Sequence, residues 1–204
     1  MTASVLQELA RSDKVLARLI QRVGPCTLVP KNHRSPFQAL VQSVTYQQLN
    51  GTAAGAIFKR FKALYPHRHF PRPEEVLSTP DERLRGAGLS RAKIAAIKDL
   101  AAKTLEGIIP TSSAIAKMTD AEILERLTVV RGVGPWTVEM LLIFTLGRPD
   151  VLPVTDYGVR KGFALTYGLR SLPAPKKLLA HGERWRPHRT TAAWYFWRAL
   201  ELPA

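Results

Sequence analysis

A single cysteine, Cys26, stands in a chain of 204 residues. One thiol cannot close an internal disulfide, and it cannot supply the thiolate set of a structural zinc or iron–sulfur site. The five histidines are scattered without the spacing of a ligand set, and they read as surface or hydrogen-bonded side chains. No apolar run approaches the roughly 20 residues of a membrane span. The first residues, MTASVLQELARSDK, carry acidic groups and no cleavable apolar core. Nowhere does hydrophobicity alternate convincingly with period two, which argues against β-strands. Acidic residues are scarce too: 16 Asp and Glu face 30 Lys and Arg, for a formal net charge of +14. With a pI near 10.4, the chain is expected to meet a polyanion, and the missing apolar runs favour nucleic acid over a membrane surface. A reducing compartment fits the cysteine usage.

What is present is helical. Hydrophobic residues make up 46% of the sequence, enough for one large domain or two small lobes with a real core. SDKVLARLIQRVG places Val15, Leu16, Leu19 and Ile20 on one face, with Ser12 as cap and Gly24 as stop. SPFQALVQSVTYQQLN offers Ser35 as cap and Pro36 in the first turn. GTAAGAIFKRFKALYP turns Ile57, Phe58, Phe61 and Leu64 inward and ends at Pro66, before the connector HRHFPRP. LSRAKIAAIKDLAAKTLEG buries Ile94, Ile97, Leu100 and Ala101, and TDAEILERL opens with a Thr119–Glu122 capping box. Two more helices are expected after Thr155 and from about Pro187 to Leu200. The fold class is all-α.

One break in this pattern calls for a reason. Residues 131–137, RGVGPWT, interrupt a helical run that resumes as VEMLLIF. Gly132 and Gly134 permit positive φ and let something approach the backbone, and Pro135 suits a first helical turn. The free N–H groups of Arg131, Gly132, Val133 and Gly134 would suit a phosphate. An ordinary turn between helices is the plain alternative. In a chain of charge +14, DNA backbone binding is favoured.

Twenty residues past Trp136 comes LPVTDYGVRKG, a proline-bearing loop leading into a helix at Asp156. With this loop the sequence resembles the helix-hairpin-helix, Gly-Pro-Asp superfamily of DNA glycosylases, nearest the 3-methyladenine DNA glycosylase II type. SVTYQQLNGTAAGAI (43–57), GAGLSRAKIAAIKDLA (86–101), LTVVRGVGPWTVEMLLIFTLGRPDVLPVTDYGVRKG (127–162) and ERWRPHRTTAAWYFWR (183–198) carry the likeness. The resemblance implies one helix-hairpin-helix glycosylase domain over 1–204, in two helical lobes with a DNA-facing cleft between them. One lobe would comprise about 1–35 and 155–204, and the other about 36–154, including the hairpin 120–146.

It also implies roles. Asp156 would be the catalytic carboxylate, stabilising the oxocarbenium-like sugar and orienting or deprotonating the attacking water. Its plain reading is a helix N-cap, a task Thr155 could share, and one carboxylate can do both. Asp150, in the same loop, reads as a turn residue. Strand-cutting relatives carry an attacking lysine just after the hairpin proline; Trp136 stands there, so a monofunctional glycosylase without lyase activity is implied. Leu49 would be the wedge that fills the gap left by a flipped base, with Gln47 and Gln48 beside it, though it could equally be core. Trp136, Tyr157 and Trp197 match aromatic positions of the base pocket, which would favour cationic 3-methyladenine and 7-methylguanine; such aromatics are often core as well. Met140 stands where some relatives place a pocket tyrosine, which leaves the lesion range open.

No cofactor is required on this reading, and no iron–sulfur cluster is expected. Backbone carbonyls of Thr128, Val130 and Val133 would hold a monovalent cation, Na+ or K+. The expected partner is double-stranded DNA containing damaged bases, met by a monomer away from membranes. That places the protein in the cytoplasm, at the nucleoid, of a bacterium, or in the nucleus of a eukaryote. The C-terminal cations Lys176, Lys177, Arg184, Arg186 and Arg189 would track the strand or form a solvated face. Larger bacterial relatives add an N-terminal sheet domain, for which 204 residues leave no room. A glycosylase for deaminated or etheno bases, or a non-catalytic DNA-binding module, remains as the alternative.

Overall fold

The structure, a computed structural model, describes residues 3–31 and 34–203. Every regular element among them is helical: α1 (Ala3–Ser12), α2 (Lys14–Val23), α3 (Pro36–Tyr46), α4 (Gly51–Ala63), α5 (Pro73–Ser78), α6 (Asp81–Gly86) and α7 (Arg91–Leu105) come first. There follow α8 (Ser112–Ile115), α9 (Asp120–Leu127), α10 (Pro135–Leu141), α11 (Tyr157–Thr166), α12 (Pro175–Gly182) and α13 (Arg189–Ala199). A π-helical turn, Leu142–Leu146, succeeds α10, and a 3-10 turn, Glu183–Trp185, succeeds α12. The helices α1, α5, α6, α8 and α12 escape the sequence reading; in α5, α6 and α8, four to six residues long, there is too little length for a period to show.

The chain divides into two units, one of Met1–Pro30 with Leu142–Ala204 and the other of Lys31–Leu141. Residues 142–154 therefore belong with the chain ends, whereas the resemblance implied a lobe of about 36–154 that grouped them with the hairpin. Ser35 and Ser90 cap α3 and α7, and Thr119 and Glu122 form the expected box. The cap of α2 is Asp13 rather than Ser12. Its carboxylate can take two N–H groups at once, those of Val15 and Leu16, which one hydroxyl cannot do as well.

In the first unit, Leu9, Leu16, Leu19, Phe163, Trp185 and Phe196 build the core. α11 lies along α13 so closely that a Cβ on Gly162 would sit 1.9 Å from the Phe196 carbonyl oxygen. Only glycine allows that approach. Beneath it, Asp13 Oδ2 accepts from the Tyr167 hydroxyl at 2.5 Å, the Trp185 indole at 3.1 Å and His181 Nε2 at 3.2 Å. Burial pushes the Asp13 carboxyl up, but the bonds from Tyr167, Leu16, Trp185 and His181 outweigh it and hold the group below its ordinary value. Burial also holds His181 below its ordinary value, against the pull of Asp13 and with help from the Arg184 charge.

In the second unit, α3, α5 and α6 pack on α7. The proline-rich connector is anchored by Phe70, whose ring lies 5.8 Å from Phe37, 6.1 Å from Phe58 and 6.0 Å from Phe61 between centroids. Ile94, Ile97, Leu100 and Ala101 are buried as the α7 pattern required.

Two outcomes are expected. Gly162→Ala must force α11 from α13 or unfold their contact, costing about 2 kcal/mol or more, readable as a lower denaturant midpoint. His181 has a depressed folded value, so the unfolded chain binds the extra proton first and stability falls as pH drops below the ordinary 6.5. The fall in melting temperature from about pH 7 to about pH 5 will be smaller in His181→Gln than in the wild type.

Candidate functional site

The hairpin between α9 and α10 has Gly132 at φ +74, where a Cβ would meet the Ala96 methyl at 3.0 Å. Gly134 does not share the positive φ expected of it; its carbonyl instead starts α10, accepting from Thr137 and Val138. Open space lies where its Cβ would be, so the second glycine keeps the surface low. Two of the four N–H groups expected to face a phosphate are used internally. Arg131 N–H donates to Asp99 Oδ2 at 2.8 Å and Val133 N–H to Val130 O at 3.0 Å. Gly132 and Gly134 offer N–H groups without a partner among the described residues, beside the exposed Arg131 side chain.

The turn between α3 and α4 is unusual. Gln48 has φ +56, the one positive φ among described non-glycine residues, and such backbone persists only where its surroundings enforce it. Next to it Leu49 is 41% exposed, so it is not core. Asn50 closes the turn by capping α4 through the Ala53 N–H. Gln47 is different from what its sequence position implied. Its amide nitrogen is spent inside the protein, on Gly132 O at 2.9 Å and Thr137 Oγ1 at 3.0 Å. In this arrangement the amide braces the turn against the hairpin.

Asp156 caps α11, and Thr155 takes no part in the cap. Oδ1 accepts from Val159 N–H at 2.7 Å and from the Trp197 indole N–H at 2.8 Å. The indole in turn stacks on Phe144, with centroids 5.4 Å apart and planes 30° from parallel. A Cβ on Gly158 would lie 2.8 Å from the Trp197 ring, so glycine is what lets the indole reach the carboxylate. The result is a half-exposed anion held in one orientation beside an aromatic wall, fit to stabilise a cation in front of it. Phe144 and Gly158 were missed in the sequence. Gly158 and Gly162, four residues apart on one face of α11, were the available signal.

The other candidates are distributed as follows. Tyr157 is 66% exposed, and Trp197 is half-buried within the same unit as Asp156. Trp136, half-buried, and Met140, buried, lie in the hairpin unit on α10. Asp150 is structural: Arg189 grips it at 2.7 Å and Arg186 at 2.6 Å. That narrows the basic run: Arg189 is buried and held by Asp150 and Glu183, whereas Arg186, though paired with the same two carboxylates, stays exposed with Lys176, Lys177 and Arg184. Among the described residues, no helix is long and apolar enough to cross a membrane.

Comparison with known proteins follows the same lines. Residues 41–187 match the model of the HhH-GPD superfamily base excision DNA repair protein. The chain is 39% identical to DNA-3-methyladenine glycosylase 1 of Schizosaccharomyces pombe over 197 residues, covering 97% of this chain and 86% of that one. Among solved structures, the S. pombe 3-methyladenine DNA glycosylase Mag1 in complex with abasic DNA superposes with a TM-score of 0.92 at 38% identity, covering 98% of each chain. A DNA-3-methyladenine glycosidase of Bacillus halodurans gives a TM-score of 0.83 at 34% identity, covering 96% of this chain and 88% of the other. The cap, the hairpin and the loop that presents Asp156 all fall within the matched span, and the chain belongs to the HhH-GPD superfamily of base excision DNA repair proteins.

Proposed function

We propose that this protein is a monofunctional DNA glycosylase that flips alkylated purines, 3-methyladenine and 7-methylguanine, out of double-stranded DNA and hydrolyses their N-glycosidic bonds. The observation that carries the reading is the Asp156 carboxylate, fixed at Oδ1 by Val159 and Trp197. As the base departs, positive charge develops on the sugar. An oriented carboxylate about 4 Å away stabilises it by about 4 kcal/mol at an interior effective dielectric near 20, about a thousandfold in rate. The same group orients or deprotonates the water that attacks C1′. An alkylated purine carries positive charge already, so its bond is weak and modest catalysis suffices. The Trp197–Phe144 pair, with its electron-rich faces, favours such a base over a neutral one.

The hairpin supports the DNA-binding half of the reading. The N–H groups of Gly132 and Gly134 and the Arg131 side chain suit a phosphate. Gln48 and Leu49 project on their strained turn and would fill the gap a flipped base leaves, which offsets part of the few kcal/mol that flipping costs. Trp136 supplies no amine, so no Schiff base forms there and the product is an abasic site on an uncut strand. Neutral carbonyl oxygens of Thr128, Val130 and Val133 are a donor set suited to a monovalent cation, which would add positive charge beside a bound phosphate; Val130 O already accepts one internal bond.

Asp156→Asn keeps both the cap and the acceptor for Trp197 while removing the charge. Release of 3-methyladenine and 7-methylguanine from methylated DNA should fall at least about a hundredfold, with melting temperature unchanged and wild-type product strands cut only by alkali. Trp197→Phe retains the stack and loses the N–H, and should lower kcat by about tenfold with KM little changed. Wild-type rates in Asp156→Asn would remove the carboxylate from the mechanism.

A further inference from the structure

Lys93, Ala96 and Asp99 are spaced three apart on α7 and so form one row along its surface. Each holds something. The Lys93 ammonium donates to Thr45 O at 2.7 Å and Gln47 O at 2.9 Å, two carbonyls on the approach to the strained turn. The Ala96 methyl is the floor under Gly132. Asp99 receives the Arg131 N–H. From the opposite side the Gln47 amide closes the frame, bridging Gly132 O and Thr137 Oγ1. Two elements 85 residues apart in the chain, the projecting turn and the hairpin, are thus pinned to one row and to each other.

We propose that Gln47 and Lys93 are positioning residues for base flipping: they fix the Gln48–Leu49 turn at a set offset from the hairpin. DNA gripped at a phosphate by Gly132 and Gly134 then meets side chains already placed for entry. An insertion offsets the unpairing of a base only if the inserted group is ordered beforehand, because ordering it on the DNA would consume the gain. The unfavourable φ of Gln48 requires such a frame as well. Gly132 serves twice, with its N–H facing outward and its carbonyl holding Gln47. The inference rests on the reading of this turn as the element that enters the duplex.

The test is single-turnover excision of 7-methylguanine from two duplexes, one with the lesion paired and one with an abasic site opposite it. Gln47→Met keeps the length of the side chain and removes its N–H donors; Lys93→Met does the same for the ammonium. Both should slow excision from the paired duplex by about tenfold and from the unpaired one by no more than about twofold, since there the partner base no longer resists flipping. Affinity for undamaged duplex should stay within about twofold of wild type. An equal deficit on the two duplexes, or none on either, overturns the proposal. Thr137→Val, which keeps its shape and removes the hydroxyl acceptor, should show the same selective deficit at smaller size if Gln47→Met does not fold, and its absence there counts against the proposal equally. A Gln48→Ala, Leu49→Ala double variant separates the two readings. If it excises the paired lesion at the wild-type rate, the insertion reading fails. If it is slow while Gln47→Met and Lys93→Met are not, the positioning role alone fails.

Discussion

The first unit depends on one close approach, the backbone contact of α11 with α13 at Gly162 and Phe196. Any side chain at 162 would separate the helices. One turn earlier on the same face, Gly158 leaves room for the Trp197 indole, and the indole N–H reaches Asp156. The packing of α13 on the helix that Asp156 caps therefore also brings up the group that orients it. The π-helical turn after α10 contributes Phe144, which stacks on the far side of the indole. A carboxylate at a helix start is commonplace; one with Oδ1 held by two N–H donors and an aromatic wall beside it is what marks Asp156 as the candidate.

The second unit follows a different principle, in which α7 acts as a rack. Its buried face carries Ile94, Ile97 and Leu100 into the core, while the row Lys93, Ala96 and Asp99 secures the turn and the hairpin. Grip and chemistry are thus built from separate parts of the chain. On the proposed function the net positive charge serves the grip, while Arg189, buried, and Arg186, at the surface, lock the Asp150 turn that leads into the Asp156 loop.

Much of this was legible in the sequence. Long helices with clear apolar faces, the Ser35 and Thr119 caps and the loop before Asp156 all follow from local chemistry that residue types encode directly. The role of Gln47 did not, because an amide near a helix end looks the same whether it points to DNA or to a carbonyl 85 residues away. Likewise a glycine shows no sign of its φ: Gly132 is left-handed and Gly134 is not. Arg189 reads as one more surface cation until Asp150 and Glu183 are seen around it. Partners distant in sequence decide each of these cases, and a local pattern carries no record of them.

On the proposed function, Asp156 presents a fixed negative charge to a cation that forms on the sugar. Binding of a duplex with a cationic pyrrolidine in place of the lesion's sugar, compared with a neutral tetrahydrofuran analogue, tests it most directly. The wild-type protein should prefer the cation by at least about a hundredfold, and Asp156→Asn should lose most of that preference while binding the neutral analogue as before. Equal affinity of the wild type for the two duplexes, or a preference that survives in Asp156→Asn, would contradict it.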